Sequence, residues 1–145
     1  TVLESIVPGC VSGSLCGGNM MLLSVLTGTP YELDGTDAVV LLEEIGEDAY
    51  ALDRMLCQFE QSGLPERAAA FVFGDFAHCE PTQKSEYEFT VKEVVFQYAQ
   101  RWGKPALWGF PAGHGRHNAW LPFGATARLR STADGAELAI TAPTF

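Results

Sequence analysis

Ala38-Val39-Val40-Leu41-Leu42 is an uninterrupted apolar run, rich in β-branched residues, that stops at the paired acids Glu43-Glu44. A strand with no polar alternation has no face for water, so it belongs in the middle of a sheet covered on both sides. From Glu47 to Gln61, Ala49, Leu52, Met55, Leu56 and Phe59 recur at helical spacing, with Glu47 and Asp48 in the first turn and Gly63 past the end. Ala68 to Phe73 reads as a second apolar strand closed by Gly74. Ser85-Glu86-Tyr87-Glu88 has the form of a capping box opening a helix that runs to about Arg101, with Phe89, Val94, Val95 and Tyr98 as its buried stripe and Gly103 as its stop. Pro105 to Gly109 supplies a third strand. Strand, helix, strand, helix, strand with crossovers of this length implies a small parallel sheet built by right-handed connections.

The flanks read differently. Thr126–Arg130 and Glu137–Thr141 around Ala133-Asp134-Gly135 form a hairpin pattern, and Thr1 to Val7 a further strand. The expected fold is therefore α/β, with a small parallel central sheet and an antiparallel second layer. Gly13-Ser14-Leu15-Cys16-Gly17-Gly18-Asn19 reads as a tight turn before a helix over Met20–Leu26, since it lacks the GK[ST] ending of a phosphate loop. At 145 residues and 47% hydrophobic, the chain is expected to form one domain, 1–145, around a single core.

Eighteen acidic residues against nine Lys and Arg leave a net charge of −9, the wrong sign for gripping a phosphate backbone, so no nucleic-acid partner is expected. The apolar run from Met20 to Leu26 is broken by Thr27-Gly28-Thr29-Pro30, and no membrane span is read. The start at Thr1 has neither Met nor a basic segment behind it; no signal peptide is read, and a longer natural protein is expected. Cys10, Cys16, Cys57 and Cys79 form no CxxC pair and fall partly in apolar segments, the pattern of reduced, buried thiols in the cytoplasm.

Ligands of open parallel sheets meet the crevice beyond the carboxyl ends of the strands. The first strand delivers Glu43 and Glu44 there, the second Asp75 and then His78, and the third leads to His114 and His117 on a glycine-rich loop. A carboxylate beside an imidazole can hold its tautomer and stabilise the imidazolium, as a general base requires, and Glu43 with His114 is the candidate pair. A solvated strand end and a loop histidine are the plainer reading of the same residues. Metal binding competes for this edge through the HxxH spacing of His114 and His117 with His78-Cys79 nearby, but no third ligand stands at a telling distance, and no metal or other cofactor is expected. Ser5, Ser12, Ser14 and Ser24 lie in no nucleophile-elbow pattern, which leaves a base and its orienter without a nucleophile.

Gly13 to Met20, Leu26-Thr27-Gly28-Thr29-Pro30, Leu41 to Leu56, Phe73-Gly74-Asp75-Phe76, Gly109-Phe110-Pro111-Ala112-Gly113-His114-Gly115 and Leu121-Pro122-Phe123-Gly124 resemble, in order, the C-terminal half of the LD-carboxypeptidases. These are serine peptidases that remove the terminal D-alanine from cytoplasmic peptidoglycan tetrapeptides; the microcin C immunity proteins are relatives. The resemblance implies a swivelling β/β/α domain. It also implies a Ser-His-Glu triad in which Glu43 and His114 match the family's acid and base, while the serine comes from an N-terminal domain absent from this chain. The implied partners are that domain and a muropeptide; a homodimer is possible. Alternatives are a microcin-immunity-like peptidase acting on an aminoacyl nucleotide and a non-catalytic module that binds peptidoglycan peptides. Phe110, Pro111, Trp120 and Phe123 are expected to form an exposed interdomain patch. Glu44, where the family usually has Asp, is expected to point to the opposite face of the strand, so that Glu44→Gln costs little turnover where Glu43→Gln costs much.

Overall fold

The computed structural model describes residues 2–80 and 89–141; the Ser85-Glu86-Tyr87-Glu88 pattern lies outside them. The element order is β1 (Glu4–Val7), β2 (Gly9–Asn19), α1 (Met20–Leu26), β3 (Ala38–Ile45), α2 (Ala49–Gln61), α3 (Leu64–Arg67), β4 (Ala70–Ala77), α4 (Val91–Trp102), β5 (Ala106–Trp108), β6 (Thr126–Thr132) and β7 (Gly135–Thr141). The strands form one mixed sheet in the order β1-β5-β4-β3-β2-β6-β7. β2, β3, β4 and β5 run parallel, and β1, β6 and β7 join antiparallel at the two sides. β3 is the central strand, as its unbroken apolar run demands.

Alternation along the parallel strands divides the interior in two. Val40, Leu42, Phe71 and Phe73 face the helices and pack with Leu52, Leu56 and Phe59 of α2 and Val95 of α4. Val39, Leu41, Val72 and Leu107 point the other way and meet Leu15, Ala127 and Leu129. The expected single core is thus two, one on each face of the sheet. The expected second layer is made by the same sheet curling over. Ser131 of β6 donates through Oγ to the Ala106 carbonyl of β5 (3.0 Å) and lies 2.6 Å from Ser5 Oγ of β1, so the sheet's two sides meet.

Gly13 to Asn19 is no turn: it is the second half of β2, paired with β3 from Ser14↔Ala38 to Asn19↔Glu43, while β6 pairs on the other side over Gly9 to Ser14. Its glycines serve close approach. A Cβ at Gly17 would overlap the Leu41 carbonyl oxygen, and Gly17 has φ +122°, a conformation that side chains rarely adopt. Gly74 does not end its strand either. β4 continues to Ala77 through an irregularity that sets Gly74 and Asp75 against Glu43.

The two long helices are as their patterns predict, with different entries. Asp48 is the N-cap of α2, which buries Leu52, Met55, Leu56 and Phe59. α4 opens on a capping box formed by Thr90 and Glu93, in which Thr90 Oγ1 accepts from the Glu93 amide (3.2 Å) and the Glu93 carboxylate accepts from the Thr90 amide (2.8 Å). Phe89 therefore precedes the helix and is exposed instead of joining the stripe of Val94, Val95 and Tyr98. Gly103, at φ +66°, closes α4. Tyr98 ties the two helices by donating to Asp53 Oδ1 (3.0 Å), and burial, then that bond, push its hydroxyl up to about 12.

Gly17→Ala should lower unfolding free energy by more than about 3 kcal/mol, because it combines backbone strain with an overlap that only strand separation relieves. Urea titration checks this: an unchanged midpoint would show that β2 and β3 can part without cost.

Candidate active site

The site begins at the end of β3, where consecutive carboxylates must leave the strand on opposite sides. Glu44 turns toward α1 and is buried. Its carboxylate accepts from Asn19 Nδ2 (2.7 Å), the Met21 amide (2.7 Å) and the Ile45 amide (2.9 Å). Asn19 in turn caps the helix by accepting from the Leu22 amide (3.1 Å). A carboxylate at a helix N-terminus is electrostatically favoured, and this one also locks β2, β3 and α1 together. Glu44 does point to the opposite face from Glu43, as expected, and three donors converging on its carboxylate give it a structural role apart from turnover.

Glu43 turns to the other side. Its side chain is only 8% exposed, and Oε2 lies 2.8 Å from His114 Nδ1, on the loop after β5. Glycines make this possible. Gly113 has φ +135°, and a Cβ there would lie 2.7 Å from Glu43 Oε2; a Cβ at Gly74 would crowd the Glu43 Cβ at 3.1 Å. Asn118 Oδ1 accepts from the Gly113 amide (3.3 Å), and the Pro111 carbonyl accepts from the Ala119 amide (2.6 Å), folding the loop back on itself. Since an ionised carboxylate only accepts, the hydrogen-bond network assigns the imidazole proton to Nδ1. Nε2 then carries the lone pair; it has no partner among the described residues, and the imidazole side chain is 49% exposed.

Other residues of this edge have different fates. Asp75 lies beneath the histidine loop, where its Oδ2 is enclosed and unpartnered. His78 and His117 are both exposed, and among the described residues no group of three His, Cys, Asp or Glu side chains converges as a metal site would require. The four cysteines are free: Cys79 is buried, as expected, but Cys10 is exposed. The Cys16 thiol is pushed up to about 11 by burial and then by Asp34, so it stays protonated near neutral pH.

Beside Glu43 opens a cleft of 380 Å³, lined by Gly18, Leu41, Gly113, Asn118, Trp120 and Phe123 among others. Trp120 is 100% exposed and Phe123 55%, while Phe110 and Pro111 are partly buried. Of the four residues expected to form an apolar patch, Trp120 and Phe123 stand exposed at the mouth of the cleft, whereas Phe110 packs against the core inside the curl. Asn19 and Asn118, which brace the two halves of the site, were not singled out by sequence reasoning. An Asn closing a glycine run and an Asn five positions past Gly113 are the only signals that mark them.

Residues 12–129 match the family model described as the LD-carboxypeptidase C-terminal domain. The chain belongs to this family. The LD-carboxypeptidase likeness extends to a probable murein peptide carboxypeptidase of Bacillus subtilis, 37% identical over 129 residues, or 89% of this chain and 40% of that protein. Among solved structures, the chain resembles the muramoyltetrapeptide carboxypeptidase of Oxalobacter formigenes, with a TM-score of 0.83 and 31% identity over 96% of this chain and 49% of the other. It also shares the fold of the microcin C7 self immunity protein MccF, solved in complex with aspartyl sulfamoyl adenosine, at a TM-score of 0.81 and 17% identity over 97% of this chain and 41% of the other. The chain spans about two fifths of the length of the curated relatives it matches. Among the described residues, no helix is long and apolar enough to cross a membrane.

Glu44→Gln should cost about 2 kcal/mol, because the amide turns an N–H group toward one of three donors that the carboxylate accepts. Denaturant unfolding measures the loss. An NMR signal from the His114 Nδ1 proton should persist in the variant, since Glu43 lies on the other side of the strand; its disappearance would show that the two acids are not independent.

Proposed function

We propose that residues 1–145 form the C-terminal half of a serine LD-carboxypeptidase and supply the base and orienter of a Ser-His-Glu triad. The observation that carries this reading is the 2.8 Å bond between Glu43 Oε2 and His114 Nδ1, with Nε2 open at an apolar-rimmed surface. No described serine lies near Nε2 with a hydrogen bond to it, so the nucleophile is assigned to the N-terminal domain of the complete protein. In this reading the curled sheet with helices on its outer face is the swivelling β/β/α domain of the family, and the rim around Phe110, Trp120 and Phe123 seats the serine-bearing domain.

The chemistry follows from the dyad. Nε2 takes the proton of the serine hydroxyl as its oxygen attacks the carbonyl joining an L-centre to D-alanine, and Glu43 stabilises the imidazolium that results. The imidazolium gives that proton to the departing amine of D-alanine as the C–N bond breaks. Water then enters; Nε2 takes its proton as the water oxygen attacks the ester carbonyl, and the imidazolium returns that proton to the serine oxygen as the ester C–O bond breaks, freeing the shortened peptide and the serine hydroxyl. The reaction requires no metal or organic cofactor. The substrate is read as a cytoplasmic peptidoglycan tetrapeptide because the relatives similar in sequence carry murein names. An aminoacyl nucleotide, as suggested by the likeness to MccF, rests on fold alone and is the second reading.

The chain by itself should fold cooperatively yet release no D-alanine from an L,D-tetrapeptide, and adding the separately made N-terminal domain should restore turnover. D-alanine release by the chain alone would overturn the division of labour, and failure of the mixture would favour a non-catalytic binding module. In the complete protein, Glu43→Gln should lower kcat on the order of 10⁴-fold with little change in substrate affinity, by analogy with triad acids generally. Steady-state kinetics beside a direct binding measurement check this; wild-type turnover in that variant would remove Glu43 from the mechanism.

A further inference from the structure

A second carboxylate lies under the histidine loop, and one of its oxygens goes unpaired there. Asp75 Oδ2 is enclosed by the protein and has no hydrogen-bond partner, a state that costs free energy and is rare for a charged group. The oxygen is pressed against the backbone that carries His114. A Cβ at Gly115 would overlap the Asp75 carboxylate, and one at Gly113 would come within 3.2 Å of the Asp75 Cβ and 2.7 Å of Glu43 Oε2. The segment Gly113-His114-Gly115 is thus threaded between two acids, and glycine on each side of the histidine is what lets it pass. Glu43 holds the ring; Asp75 lies against the peptide beneath.

We infer that Asp75 is a positioning residue for His114, a second acid whose unpaired charge holds the histidine loop in place and is offset when the imidazole takes up a proton. The inference rests on the proposed triad for its catalytic meaning, but its physical content is separate. With a neutral imidazole the two carboxylates against this loop share one side-chain donor, the Nδ1–H that Glu43 accepts; a protonated ring adds a positive charge to the same loop. A charge that is poorly solvated in the resting state and better balanced beside the imidazolium favours the state in which His114 holds the serine proton. The other charged or titratable groups nearby are Arg116 and His117, both exposed in the same loop; Glu44 on β3 is turned away to α1, and the end of β2 contributes only Gly18 to the cleft.

The test uses two variants and two readouts. In this chain, NMR titration of His114 should show Asp75→Asn moving the midpoint to lower pH by about half a unit, roughly a threefold loss of proton affinity, with the Nδ1 proton still bound to Glu43. Gly115→Ala leaves Asp75 chemically intact but displaces its carboxylate, and should move the midpoint in the same direction. A midpoint shifted by less than about 0.1 unit in both variants would overturn the inference. In the complete protein, Asp75→Asn should move the acidic limb of kcat/KM to lower pH by the same amount; a stationary limb in an active enzyme would overturn it too. If the complete protein releases no D-alanine while the NMR shifts appear, the reading of function fails and the role of Asp75 stands.

Discussion

The backbone of β2 can lie against β3 only where side chains are missing. Gly13 and Gly17 meet the carbonyls of Asp37 and Leu41 so closely that any Cβ would intrude. From that contact the register follows: Asn19 comes level with Glu43, α1 starts beside the end of β3, and β2 keeps its far side for β6. Adding β6 and β7 on that side makes the sheet wide enough to curl, and Ser131 closes the curl against β5 and β1. Both cores depend on this arrangement, since one is the inside of the curl and the other is the outer face under the helices.

The same register gives two adjacent glutamates different work. Glu44 is spent on structure, saturated by donors from three elements, whereas Glu43 keeps one strong partner on a loop. Pleating alone separates them, and the irregularity at Gly74 and Asp75 supplies the room into which Glu43 and the histidine loop fit. The acid and the imidazole are 71 positions apart in the chain, so their meeting is a product of the whole βαβαβ unit.

Much of this was legible in the residues. The apolar runs at 38–42 and 68–73, the spacing of α2 and the αL stop at Gly103 each reflect a local preference that packing reinforces, and strand ends sharing one edge made Glu43 and His114 a candidate pair that the resemblance to the LD-carboxypeptidases then singled out. What escaped was non-local. The glycine run of β2 looks like a turn because glycine favours turns; its real cause is a neighbouring backbone that no local pattern reveals. Phe89 was assigned to a buried stripe of a helix expected to open at Ser85, although the capping box of Thr90 and Glu93 starts the helix only at Val91. The burden on Glu44 was invisible for the same reason: its donors come from residues 19, 21 and 45, and a carboxylate's neighbours cannot be read from its own position.

Because Glu43 is walled in by Gly74, Gly113 and the end of β3, its rotamer freedom, on the order of 1–2 kcal/mol for such a side chain, is surrendered when the domain folds. The imidazole it holds is likewise oriented without outside help. Any hydroxyl brought to this surface by a neighbouring domain would meet an acceptor already aimed, and the ordering left to the encounter would be that of the incoming group alone. The halves of such an enzyme can therefore drift in sequence and in mutual angle, provided the one surface continues to bring its oxygen within reach of Nε2.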